Sequence, residues 1–170
     1  NKGTINNWLG GIINRFAEGT LDIIKDGTII AKLTGGRVGS MIGGEVWELF
    51  GTGAITNQSG GLIKDLQTGG EVTTMTGGNI TAITGGTLKT LHGGNVGKVS
   101  GGEITKMGSG TVAELANGGK ILTVNDGTIA KMSGGSITDL HDGEITTMIN
   151  GNIATMDGGA ITTMSGGTIT

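Results

Sequence analysis

Residues 135–166 read GSITDLHD (135–142), GEITTMIN (143–150), GNIATMDG (151–158) and GAITTMSG (159–166), four consecutive octads that each open on Gly and carry Ile two residues later. Followed in both directions, the unit covers the chain. Gly stands at 3, 11, 19, 27, 36, 44, 53, 61, 70, 78, 86, 94, 102, 110, 119, 127, 135, 143, 151, 159 and 167, giving 21 copies spaced by eight with four spacings of nine. Two residues after each comes Ile, Val or Leu, as in Ile5, Ile13, Leu21, Ile29, Val38 and Val46 and on to Ile161 and Ile169. Three further on lies a second large apolar position, filled among others by Trp8, Phe16, Ile24, Met41, Leu66 and Met148, and all seven Met of the chain occupy it.

Such a pattern excludes helix. Gly every eight residues costs helical stability at each copy, and apolar spacings of three and five do not follow a 3.6 period. Both spacings are odd, so a straight strand would turn Ile and Met to opposite sides, and burying both requires a bend in every octad. The Gly pair at the octad boundary supplies one bend. Its first member is replaced in places by Asp26, Asp126, Asp142, Asn150 or Ser109, which predicts positive φ there, since Asn and Asp best tolerate left-handed backbone. Its second member is always Gly, which predicts either a φ closed to other residues or backbone packed too closely for any Cβ.

The fold class expected is all-β: an octapeptide-repeat β-helix, with octads lying across a rod axis and pairing about 4.8 Å above and below. Three architectures fit: a single-chain solenoid with three octads per turn, one with two, or three chains intertwined so that each octad supplies one side of a rung. Faces of a solenoid differ in surroundings and predict a superperiod of 24 residues, which the Met positions and Gly replacements do not show. A threefold-symmetric trimer gives every octad the same environment, so an intertwined parallel homotrimer is preferred, with a rod length on the order of 100 Å. One observation favours two sides instead. All four nine-residue spacings precede odd-numbered repeats.

Residues 1–170 therefore read as one continuous rod, expected to be a piece of a longer chain, with irregular spots near 30–33, 50–59, 67–68 and 116–117. One extra residue is placed inside the strand at Ile30 to Leu33 and three in turns at Phe50 to Thr52, Gln67 to Thr68 and Ala116 to Asn117. Gln58 is the clear polar occupant of the second apolar position and reads as a local defect. The aromatics Trp8, Phe16, Trp47 and Phe50 all lie in the first 50 residues with Leu9, Ile12, Ile23, Ile30 and Ile42, which predicts a thicker rod there.

Composition narrows the function. The chain of 170 residues has 38 Gly and no Cys, Pro or Tyr, and its net charge of −3 is interspersed, against the clustered basic face that nucleic acid requires. Without Cys there is no disulfide, thiolate metal site or thiol nucleophile, and no run approaches the roughly 18 apolar residues of a membrane span. A phosphate-loop motif, a calcium-roll Asp and the Gly period of collagen are all missing. His92 and His141 follow the second apolar position and read as exposed turn residues. A rod of one repeated cross-section offers no cleft for paired carboxylates, so no enzyme, cofactor or metal is expected and no catalytic, cofactor-binding or metal residue is assigned. The Thr pairs 73–74, 146–147 and 162–163 hint at an ice-binding ladder, which Lys64, Lys89, Ala113, Leu122 and Ala130 interrupt.

The units Leu91-His92-Gly93, Val99-Ser100-Gly101, Met156-Asp157-Gly158 and Met164-Ser165-Gly166 resemble the apolar-x-Gly octads of triple-stranded β-helices in phage tail fibres and cell-puncturing spikes, over nearly the whole chain. That resemblance implies a structural shaft for host attachment or envelope penetration, located on a virion or outside the cell, with self and tail or baseplate components as partners. The chain departs from the spike pattern in its second apolar position, its invariant Gly and its lack of a His-x-His pair, which favours a fibre shaft. The alternative class is a surface adhesin or binding module on a single-chain solenoid.

Overall fold

The computed structural model describes residues 3–170, and every regular element among them is a strand. Nineteen strands form one continuous parallel sheet. Most are five residues long, from Thr4–Trp8 at one end to Ala160–Met164 near the other. Two of 13 residues, Thr128–Leu140 and Glu144–Met156, run through a corner and supply two octads each.

Each octad pairs with the octad two along. Thr87 sits over Glu71 and under Glu103, and Asn95 over Asn79 and under Thr111, a step of 16 residues, or 17 where a corner carries an extra residue, as between Thr20 and Arg37. The chain is thus a two-sided parallel β-solenoid of about ten turns. At about 4.8 Å per turn the rod is about 50 Å long, half the length expected of an intertwined assembly.

The bend inside each octad is visible in the register. In the five-residue pairs the first, second, fourth and fifth residues have partners, as in Asn79, Ile80, Ala82 and Ile83 against Asn95, Val96, Lys98 and Val99, and the middle residue does not. That break turns both apolar residues inward. From Leu21 to Ile153 the two apolar ladders are closed to solvent within one chain; Ile104, Ile137 and Ile145 of the first and Met107, Leu140 and Met148 of the second are 0% exposed. The expected burial fails only at the last rung. Met156 and Ile161 are half-buried and Met164 is exposed, because nothing is stacked upon them.

The corners correct three readings. Positive φ belongs to the second, invariant Gly, at +75° in Gly135 and +72° in Gly36, while no non-Gly residue has positive φ, the replacements at the first position included. Asp and Asn there act through hydrogen bonds: Asp126 Oδ1 accepts from Gly127 N at 2.6 Å, and Asn150 Oδ1 from Gly151 N at 2.8 Å. The second Gly is also crowded. A Cβ on Gly135 would lie 2.5 Å from the Gly119 carbonyl oxygen, the acceptor for Ser136 N in the ladder, and 2.6 Å from that of Ala116.

The extra residue placed at 30–33 lies instead at the strand's start. Ile13 pairs with Ile30, so Ile30 and not Ile29 is the core residue, and Thr28 is buried with its hydroxyl donating to the Trp8 carbonyl. All four extra residues do one thing: they close a four-residue turn by a hydrogen bond, from Thr28 N to Lys25 O, Gly53 N to Phe50 O, Gly70 N to Gln67 O and Gly119 N to Ala116 O. The last three share one edge of the rod, which explains their common parity.

The third correction concerns the first 50 residues, where strand lengths and register match the rest, so the rod is not thicker. Trp8 and Phe16 pack against the core at the first rung, while Trp47 points outward.

Gln58 is fully buried between Met41 and Met75 in the second apolar ladder. Its Nε2 donates to the Asn79 carbonyl at 3.2 Å, and its Oε1 has no partner. An unpaired buried acceptor costs about 1–3 kcal/mol. Gln58→Met, which restores the ladder's own residue type, is expected to raise stability by about 1–2 kcal/mol, read as a higher denaturant midpoint at unchanged slope.

Candidate functional site

What the rod presents to solvent are columns of side chains repeated about every 4.8 Å along two faces and two edges. On one face the fourth strand residue alternates in charge: Lys32 bonds Glu48 at 3.4 Å, and Glu114 lies between Lys98 at 3.2 Å and Lys131 at 3.4 Å. On the other, Lys89 bonds Glu71 at 2.9 Å and Lys120 bonds Glu103 at 3.7 Å. Exposed pairs of this kind are worth about 0–1 kcal/mol each. They zip neighbouring rungs.

Glu114 is the most perturbed of these groups. The Ser133 hydroxyl, donating at 2.7 Å, and then the Lys98 and Lys131 ammonium groups lower its pKa from 4.5 to about 2. Glu45 is lowered by the Trp47 indole N–H and by Lys64, and Glu71 first by Lys89. A carboxylate held low stabilises the fold above its unfolded pKa, and the gain is lost as pH falls through the folded value. Glu114→Gln is expected to flatten the fall in thermal midpoint between about pH 4.5 and about pH 2, by a small amount because the site is solvent-screened.

Trp47 is 37% exposed, with its Nε1 donating to Glu45 Oε2 at 2.8 Å and Lys64 Nζ 4.4 Å from its ring centroid. These three side chains satisfy one another. Beside them a shallow groove follows one edge, floored by the side-chain-free corners Gly27, Gly44, Gly61 and Gly78 and walled by Glu45 and Asn79.

His92 and His141 are exposed corner residues on the same edge, as expected, and His141 Nδ1 lies 2.8 Å from Asp157 Oδ1. Among the described residues no three of His, Asp and Glu converge on a point that could hold a metal ion, and no helix is long and apolar enough to cross a membrane. The Thr pairs do not form one ladder, because Thr73 and Thr74 lie on one face and Thr146, Thr147, Thr162 and Thr163 on the other. No protein-family model matches the chain, and no curated protein or solved structure matches it. The geometry therefore carries the reading by itself. What it offers is a uniform cross-section, with polar groups spent on rung-to-rung bonds.

Proposed function

We propose that the chain is a structural shaft, a rigid spacer of the kind its octads resemble in phage-type fibres, acting outside the cell or on a virion to hold an attachment element away from its base. The observation that carries this is the uninterrupted pairing of every octad with the octad two along, over a core closed within the chain. A spacer requires length and stiffness. Both come from stacking identical rungs, each locked to its neighbours by backbone bonds and two buried apolar contacts per octad.

The homotrimer expected from the repeat becomes, for this fold, three finished rods side by side. A two-sided coil with near-equivalent faces accounts equally for the missing superperiod, so the trimer stands second, and a mass three times 16.9 kDa at unchanged length is its sign. The adhesin alternative is favoured by the single-chain solenoid and by outward Trp47.

The test is modularity. Deleting residues 95–110, one full turn from after Gly94 to Gly110, keeps both faces in register and is expected to leave a folded rod shorter by about 4.8 Å. Deleting only residues 95–102 moves every later octad to the opposite face and shifts the Ala116–Gly119 turn to the wrong edge, with a larger loss of stability expected. Equal loss from both, or specific glycan or cell-surface binding by the isolated chain, would favour the binding module.

A further inference from the structure

The two ends of the rod are not closed. Thr4–Trp8 and Gly11–Ile13 pair on one side only, with Thr20–Ile24 and Thr28–Leu33, and at the far end Ala160–Met164 and Thr168–Ile169 pair only with Glu144–Met156. Exposed apolar residues gather at these rungs: Leu9 is 73% and Ile12 61% exposed at one end and Met164 46% at the other, against 0% for core residues at the repeat positions inside the rod. A recess at the first end is lined by Ile5, Arg15, Phe16 and Glu18.

We infer that the first end docks on the last end of a second copy, so that the chain stacks head to tail. Three observations select that occupant. Every internal rung already pairs parallel with a copy of the same pattern, so the free edge of Ala160–Met164 is complementary to that of the opposite end in the register used throughout. A parallel ladder is polar, and two like ends cannot reproduce that pairing. The side chains also fit: Ile13 falls over Ile161 and Phe16 over Met164, while Trp8, with its Nε1 unpartnered, falls over Met156, which Thr168–Ile169 leaves half-buried.

Charge agrees with this direction. Between Gly3 and Phe16 the only charged residue is Arg15, and from Met132 onward the chain has Asp139, Asp142, Glu144 and Asp157 with no Lys or Arg. Such a contact is heterologous and does not close, so it generates a filament whose rise per chain is about 50 Å. This rests on the shaft reading.

The experiment is sedimentation against concentration, with electron microscopy, for the 170-residue chain and for Ile5→Asp and Met164→Asp, both at exposed terminal rungs. Wild type is expected to grow in steps of 16.9 kDa into rods at multiples of about 50 Å. Each variant keeps the wild-type circular dichroism and stays single. Mixed together they form dimers and nothing longer, because each retains one competent end. Wild-type rods that remain single at all concentrations overturn the stacking and leave the shaft intact, whereas compact particles overturn the shaft as well. Growth of either variant alone beyond a single chain also overturns it.

Discussion

Gly135→Val is expected to destabilise the rod by roughly 3–5 kcal/mol, combining a β-branched residue at positive φ with overpacking against fixed backbone. Gly135 has φ of +75°, and its missing Cβ would press on two carbonyl oxygens of the rung below, neither of which can move without breaking the ladder. Gly134→Asn, one residue earlier, is expected to cost only about 1 kcal/mol. There φ is not positive, the nearest obstacle is the Asn117 side-chain amide, and Asn150 occupies the same column. Urea midpoints of the two variants read the difference directly. Equal losses would mean that the corner is not set by its second Gly.

Ile104→Ala is expected to cost about 2–5 kcal/mol, the range for removing a fully buried branched side chain and leaving a cavity. Ile104 is closed to solvent between Leu88 and Ile121 in the middle of the rod, where neither end can relax around the hole. Lys106, two residues on and exposed, is the internal control: Lys106→Ala is expected to stay within about 0.5 kcal/mol. Because each rung contacts only its neighbours, the Ile104 variant is also expected to lose unfolding cooperativity, the rod separating into two halves. A broadened transition by circular dichroism is the sign to look for.

The inward ladders were legible in the sequence because the two apolar positions recur without a break, and burial follows them from Leu21 to Ile153. Ile29 misled because an extra residue beside it displaced the core position to Ile30, and two adjacent Ile give no sign of which one points inward. Number of sides was hard to read for a physical reason: octads on both faces bury the same two residues, so the repeat has no superperiod to report. The signal lay in the parity of the nine-residue spacings, since extra residues collect at the corners of one edge. Asp26, Asp126 and Asn150 were misread because their tolerance was ascribed to backbone conformation, whereas their side-chain oxygens accept from nearby corner Gly amides. Charge zippers such as Lys98–Glu114–Lys131 could have been found by reading the fourth strand residue at intervals of 16 or 17.

The central claim is the two-octad turn, and one distance tests it. Spin labels at Asn57 and Thr155, placed in a chain free of native Cys and diluted with unlabelled protein, report separation within a single chain. Asn57, Thr74, Thr90, Lys106, Thr123, Asp139 and Thr155 form one column by successive pairings, so the labels stand six rungs apart, about 29 Å. Three octads per turn would bring them to about 19 Å, and an intertwined trimer, in which every octad climbs one rung, would separate them by about 58 Å. A pulsed dipolar distance near 29 Å is the predicted result, and a peak near either of the other values contradicts the two-sided solenoid.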